Sequence, residues 1–319
     1  AGLLKRSTLF YVLLLAGLTL ALAGTIAGII LFGDSWFQLL MAGALGIIFT
    51  QFAFIAHEAS HRQVLSSGPA NDRLGRFLIT FVVGMSYQWW MTKHTRHHAN
   101  PNRIGKDPDI EVDTIAFYAE SAAEQRGIFA WITRRQGWLF YPLMTLEGLN
   151  LHYHSIRSLV RPGKVEGRWF ELGMIALRFA IYFGAIFTFL PLGMAFAFVG
   201  VQLAVFGFYL GTAFAVNHIG LPIIAADAKL DFFSKQVHTS RNISGGLVAS
   251  SSFGGLNYQT EHHLFPNMAR PQLAKARLIV REYCRANNIR YTEMNMFRAN
   301  AHVVKYMNKV GLAARDPFV

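Results

Sequence analysis

Four stretches of this chain run for about twenty residues or more with at most two charges, and that feature narrows the available architectures more than any other. About 20 helical residues cross a bilayer, and residues 9–32 and 191–216 meet that length without a formal charge. Residues 36–56 are also uncharged and follow the first run after only Gly33, Asp34 and Ser35, which predicts a tight helical hairpin. Residues 169–190 form the fourth run, carry Arg178, and meet the next at Pro191. We read Arg178 as a long side chain that snorkels or pairs locally. The expected fold is therefore an all-α integral membrane protein, with four spans in two hairpins, interfacial helices and a cytoplasmic, histidine-rich di-metal cap. The chain reads as one membrane domain over residues 1–319, with cytoplasmic regions at 57–168 and 217–319.

Charge placement agrees with that topology. Of 30 Lys and Arg residues, every one except Arg178 lies before Leu9, between His57 and Glu171, or after Val216. With four spans those regions share one side of the membrane, and the positive-inside bias makes that side cytoplasmic. The formal charge of +12 is thus an orientation signal and an attraction to anionic lipid headgroups; nucleic acid is not required to explain it. Lys5 and Arg6 before an apolar run, with Ala21-Leu22-Ala23 inside it, imitate a cleaved leader. Because the hydrophobicity continues to Phe32, a retained span fits better. The single cysteine, Cys284, builds neither a disulfide nor a thiolate cage, which suits a reducing cytoplasmic face.

Between the hairpins, residues 75–90 are apolar but too short to span, and residues 136–156 are amphipathic and rich in aromatics, so both read as interfacial helices. Residues 101–113 carry the Asn, Pro, Gly and Asp of a loop. An amphipathic helix is expected over 271–287, leading into a cytoplasmic tail. No internal repeat, low-complexity tract, or haem, flavin or iron–sulfur motif is visible.

Histidine spacing carries the chemistry. His57-Glu58-Ala59-Ser60-His61 places two imidazoles at i and i+4, on one helical face. In His94-Thr95-Arg96-His97-His98, i, i+3 and i+4 again share a face, and the adjacent His97 and His98 can diverge toward two ions. Gln259-Thr260-Glu261-His262-His263 repeats that geometry with glutamine first, and His218 closes the fourth span. All four elements fall on the same side of the membrane. Eight imidazoles exceed a single open tetrahedral zinc site, so two ions are implied. Imidazole accommodates iron, zinc and copper; an unactivated alkyl substrate would select a redox metal used with oxygen, and iron above the others.

Other readings exist. His57-Glu58-Ala59-Ser60-His61 also matches H-E-x-x-H, in which a zinc metalloprotease uses the glutamate as general base, but this leaves the other two clusters without a purpose. A metal transporter would place its ligands at mid-membrane in broken spans, whereas these lie at span ends and beyond. A carboxylate di-iron centre needs paired Glu-x-x-His motifs, and Glu58 with His61 supplies one. His152 and His154, two apart, face opposite ways and read as structural, and His238 reads as a non-ligand. Asn217 and Asn242 are candidates to hydrogen-bond ligand histidines.

Together, H-x-x-x-H, H-x-x-H-H, Q-x-x-H-H and the lone histidine after the fourth span resemble the membrane fatty acid desaturases over nearly the whole chain. The phrases at 92–101 and 261–266 are similar to that family too. The resemblance implies that His57, His61, His94, His97, His98, His218, His262 and His263 ligate two iron ions cycling between Fe2+ and Fe3+. Gln259 departs from the commonest pattern, as in the front-end and related acyl-CoA branch, and either ligates through its carbonyl oxygen or hydrogen-bonds to a ligand. The implied activity is oxygen-dependent desaturation of a fatty acyl-CoA or acyl-lipid, with hydroxylation as the neighbouring alternative. Electrons would come from a ferredoxin and its reductase or from a flavoprotein, and the setting would be the plasma membrane with the site on its cytoplasmic face. Trp89, Trp90, Phe214 and Phe253 are candidate walls for the acyl chain, and Lys93, Arg96 and Arg103 are candidate contacts for a phosphate-bearing carrier.

Overall fold

A computed structural model describes residues 2–314. Its helices, in chain order, are α1 (Thr8–Phe32), α2 (Phe37–Ser60), α3 (Gly68–Arg76), α4 (Tyr87–Ala99), α5 (Ala119–Glu124), α6 (Gly127–Thr133), α7 (Gln136–Met144) and α8 (Glu147–Val160). They continue as α9 (Arg168–Phe189), α10 (Leu192–His218), α11 (Phe232–Thr239), α12 (Gly246–Ser252), α13 (Gln259–Leu264), α14 (Arg270–Ala286) and α15 (Met296–Ala313). A π-helical segment, Phe77–Val83, joins α3 toward α4. The strands β1 (Arg241–Ser244) and β2 (Thr292–Asn295) pair in parallel, Arg241 opposite Thr292 and Ser244 opposite Asn295. This small ladder is a minor departure from the all-α expectation.

The four long apolar helices are α1, α2, α9 and α10, each long and apolar enough to cross a membrane. Their burial differs sharply: 61% of the α2 window is inside the protein against 6% for α1. Hence α2 is the central strut, packed on α10 and on α1, while α1 turns Leu9, Leu13, Leu20 and Ile30 outward. In water such a surface would be a liability; in lipid it is the solvated face. The α1–α2 turn is fastened by Gln38, whose Nε2 donates to the carbonyls of Ile29 and Gly33, both at 2.8 Å, closing carbonyls that the end of a helix leaves unpaired.

Arg178 does not snorkel. It is buried within α9 and lies over the rings of Tyr182, Phe49 and Phe179 at 4.4, 5.0 and 5.2 Å, a cation–π arrangement that a one-dimensional reading cannot see. The amphipathic stretch at 136–156 is two helices, α7 and α8, broken at Thr145 and Leu146. The expected tail instead folds back: α15 places Ala299, Val303, Met307 and Val310 on one stripe and buries all four.

The histidine clusters at 57–61, 94–98 and 259–263 are boxes one, two and three, and box two is aimed from its helix start. Ser86 caps α4 by accepting from the Trp89 amide at 3.0 Å, and its hydroxyl donates to buried Glu171 at 2.6 Å. Glu171 also accepts from the Gln88 amide at 3.2 Å and from Arg76 at 3.0 Å. A carboxylate at a helix N-terminus suits the macrodipole, and here it binds the first turn of α4 to α9 and α3.

Helices α8 and α10 touch backbone to backbone: a Cβ on Gly207 would sit 2.2 Å from the Gly148 amide nitrogen. Gly207→Ala is therefore expected to cost about 1–3 kcal/mol through overpacking, read as a lowered thermal midpoint in detergent. Gly193→Ala in the same helix, where a Cβ meets nothing within 4 Å, serves as the control and should leave the midpoint in place.

Candidate metal centre

The antiparallel hairpins bring the C-terminal ends of α2 and α10 to one face, and α4 and α13 complete a compact cluster. Two groups of histidines form, each with ring nitrogens within 4.8 Å of one another: His57, His61, His94, His98 and His262 in one, and His97, His218 and His263 in the other. Each adjacent pair, His97/His98 and His262/His263, splits between the groups. The groups abut, because the rings of His98 and His263 stack at 4.2 Å. All eight histidines expected from the sequence are thus brought together. His238 joins neither group, and His152 is fixed between the carbonyls of Gly148 at 2.6 Å and Val83 at 3.2 Å. His154 faces away, 3.8 Å from Asp113.

In the three-histidine group every ring has its outward nitrogen tied down. His97 Nδ1 meets Asp107 at 3.0 Å, His218 Nδ1 the Thr239 carbonyl at 2.8 Å, and His263 Nδ1 the Gln236 Oε1 at 2.9 Å. Those partners accept only, so each Nδ1 carries the hydrogen and each Nε2 presents a lone pair inward. The Gln236 orientation is itself fixed, since its Nε2 donates to the His98 carbonyl at 2.9 Å. Asp107, Gln236 and Thr239 went unnoticed in the sequence. Asp107 in Asp107-Pro108-Asp109 had a signal, an acid ten residues after His97 in a turn-rich loop; a backbone carbonyl such as Thr239 has none.

The five-histidine group is less pinned. His61 Nε2 lies 2.8 Å from His94 Nε2, and His98 Nε2 lies 3.1 Å from His262 Nε2. Both nitrogens of His57, and Nε2 of His263, are buried without a hydrogen-bond partner. An orphaned buried acceptor costs about 1–3 kcal/mol, and a cation is the partner that would satisfy several lone pairs at once. The donor set, neutral imidazoles with outward N–H groups anchored, fits metal ions.

Protonation reinforces that fit. Burial lowers the pKa of His61 to about 4, and burial together with neighbouring imidazoles lowers His94, His98, His262 and His263. His97 moves the other way, because Asp107 and Asp109 outweigh the burial that would lower it.

Gln259 sits at the same cluster, its Nε2 2.8 Å from His218 Nε2 and its Oε1 accepting from Asn217 at 3.2 Å. Asn217 thus touches the box-three glutamine, while Asn242 serves the box differently: it donates to Glu261 at 2.7 Å and accepts from the Thr260 amide at 2.9 Å, anchoring α13. Aromatic rings cover the five-histidine side. Trp90 stacks on His94 at 4.6 Å, and Phe214 lies 6.3 Å from His57; Phe253 packs in the core. The proposed carrier contacts are otherwise engaged: Lys93 pairs with Asp109, Arg96 with Glu111, and Arg103 holds the carbonyls of Ala226 and Ala228.

Glu58 removes the protease reading. Its carboxylate receives Arg270 at 2.8 and 2.5 Å and the Tyr11 hydroxyl at 3.1 Å, in a setting where Glu58 is 2% exposed. A buried carboxylate held in a bidentate ion pair, with a third donor on the same group, is not poised to take a proton from water.

The family model described as "Fatty acid desaturase" matches residues 34–295. The Delta(8)-fatty-acid desaturase of Helianthus annuus is 27% identical, covering 99% of this chain and 72% of that protein. An acyl-lipid (9-3)-desaturase of Borago officinalis is 30% identical over 90% of this chain and 67% of its own length. The Delta(6)-fatty-acid desaturase of Caenorhabditis elegans is 27% identical over 77% of this chain and 59% of its own.

Two outcomes follow from this geometry. Between pH 6.5 and about 4 the unfolded chain takes up protons that His61 in the folded chain refuses. The unfolded state then binds more protons, so stability falls as the pH is lowered; the raised His97 opposes this. Thermal scans of metal-free protein should show the midpoint dropping across that window, and a flat profile would contradict neutral buried rings. Glu58→Ala, which strands Arg270, should cost about 3–5 kcal/mol in chemical unfolding, whereas the Glu58→Met, Arg270→Met pair should recover most of it.

Proposed function

The chain belongs to the fatty acid desaturase family, and from that premise we propose that it is an oxygen-dependent fatty acyl desaturase whose histidine cluster holds two iron ions. Desaturation removes one hydrogen from each of two neighbouring carbons. With O2, two electrons and two protons, the saturated segment becomes an alkene and two waters form. The observation that carries the iron assignment is the convergence of eight buried or half-buried imidazoles in two abutting groups. Iron bound there would supply the oxygen-dependent redox chemistry that no side chain possesses.

In this reading His57, His61, His94, His98 and His262 hold one ion. His97, His218 and His263 hold the other, with Gln259 as a further ligand through Oε1 or as a donor to His218. Asp107, Gln236 and the Thr239 carbonyl keep three rings in the ligating tautomer. Trp90 and Phe214 form the apolar approach on the five-histidine side, where an acyl chain is accommodated and water is disfavoured. A reacting methylene must lie in near-attack geometry, so these rings set which carbons react.

The substrate is a fatty acyl chain on CoA or in a lipid. The electrons come from a ferredoxin with its reductase or from a flavoprotein. The positive-inside bias supports a cytoplasmic cap, and we assign the plasma membrane as its location.

The deciding experiment is reconstitution of the purified protein with iron, a reductant-driven electron-transfer partner and stearoyl-CoA or a longer acyl-CoA, followed by mass spectrometry of the lipid product. A new double bond, lost in His97→Ala together with part of the bound iron, is the expected result and locates the bond. A hydroxylated chain as the main product would overturn the assignment.

A further inference from the structure

A cavity of about 760 Å³ opens in the cap, bounded by Arg290, Lys305, Lys309, Tyr118, His238 and the loop at 220–223. None of its lining residues is acidic. Lys305 and Lys309 are one turn apart on α15 and so share a face, where like charges repel. Several other cations of the cap have carboxylate partners: Lys93 holds Asp109, Arg96 Glu111, Arg270 Glu58 and Arg277 Glu293. Among the described residues, Arg290, Lys305 and Lys309 have no such partner. Glu293, on β2 beside Thr292 of the lining, is occupied by Arg277 at 2.5 Å, and Glu120 of α5 lies outside the lining.

The cavity also backs onto the metal centre. Gly220 to Ile223 continue directly from His218, and His302 Nε2 donates to the Gly220 carbonyl at 3.0 Å. His238 lies between Gln236 and Thr239, the residues that orient His263 and His218. Three cations around a concave space whose lining holds no acid make a site for a multiply charged anion. Lysine and arginine bind phosphate through charge-assisted hydrogen bonds.

We propose that this cavity is a binding site for a phosphate-bearing molecule, gripped by Lys305, Lys309 and Arg290. A soluble organic phosphate and an anionic phospholipid headgroup present the same group, so the test uses one probe of each kind. The assay requires no turnover and stands or falls apart from the desaturase reading. Binding of unacylated coenzyme A to the detergent-solubilised full chain is measured by equilibrium dialysis. Retention of phosphatidic acid over phosphatidylcholine in the same micelles is measured by native mass spectrometry. K305Q/K309Q should weaken one of these by at least about tenfold, and the probe affected identifies the source. K275Q/R281Q removes the same charge from exposed positions of α14 and should leave binding within about twofold. The charge-keeping K305R/K309R should retain binding, which separates loss of the site from loss of the fold. Equal loss in K305Q/K309Q and K275Q/R281Q, or no binding of either probe to the unaltered chain, would overturn the site.

Discussion

Eight imidazoles buried within a few ångströms of one another cannot carry charge together, and much of this structure follows from that requirement. A protonated ring here would face several neighbours in a medium with little solvent to screen them. Neutrality leaves each ring with one hydrogen to place and one lone pair to direct. Asp107, Gln236 and the Thr239 carbonyl take the hydrogens of His97, His263 and His218. The lone pairs are thereby turned inward, and the cluster becomes a donor set instead of a hydrogen-bonding network. The supports extend outward: Glu171 fixes the start of α4, and Asn242 with Tyr291 fixes Glu261 on α13.

The hairpin arrangement is the other half of that design. Two spans bring box one back to the face where the chain entered, and two more return His218 to it. The apolar helices therefore act as a positioning frame, with α2 inside and α1 outside. The histidine cluster lies where the frame ends, between the aromatic covering of Trp90 and Phe214 and a polar cap rich in cations.

What the sequence disclosed was whatever is written locally. Span lengths come from runs of apolar residues, and the helical ends fall within a few residues of the expected 9–32, 36–56, 169–190 and 191–216. The eight histidines were legible because i, i+3 and i+4 spacing is a property of one helix, and the shared face followed from counting spans. The hidden parts depend on distant partners. Glu58 reads as the base of H-E-x-x-H until Arg270 is seen opposite it, and Arg178 reads as snorkelling until Phe49 and Tyr182 are brought around it. Lys93 and Arg96 looked like free cations because Asp109 and Glu111 come from a loop whose path no periodicity encodes. The return of α15 was missed because a stripe of Ala, Val and Met is weak when its receiving surface, α7 and α5, is itself short.

The Tyr11–Glu58–Arg270 junction has a consequence in time as well as in space. Glu58 leaves the ribosome 212 residues before its partner, an interval of roughly 10–40 s at ordinary elongation rates. For that interval the end of the second span holds an acid with no counter-ion, and box one has no box three to meet. The fastener that joins the first span, box one and α14 therefore closes late in synthesis, with box three, at 262 and 263, made only a few residues earlier. Assembly of the histidine cluster is thus deferred until its last members, His262 and His263, and the Arg270 clasp have all been made.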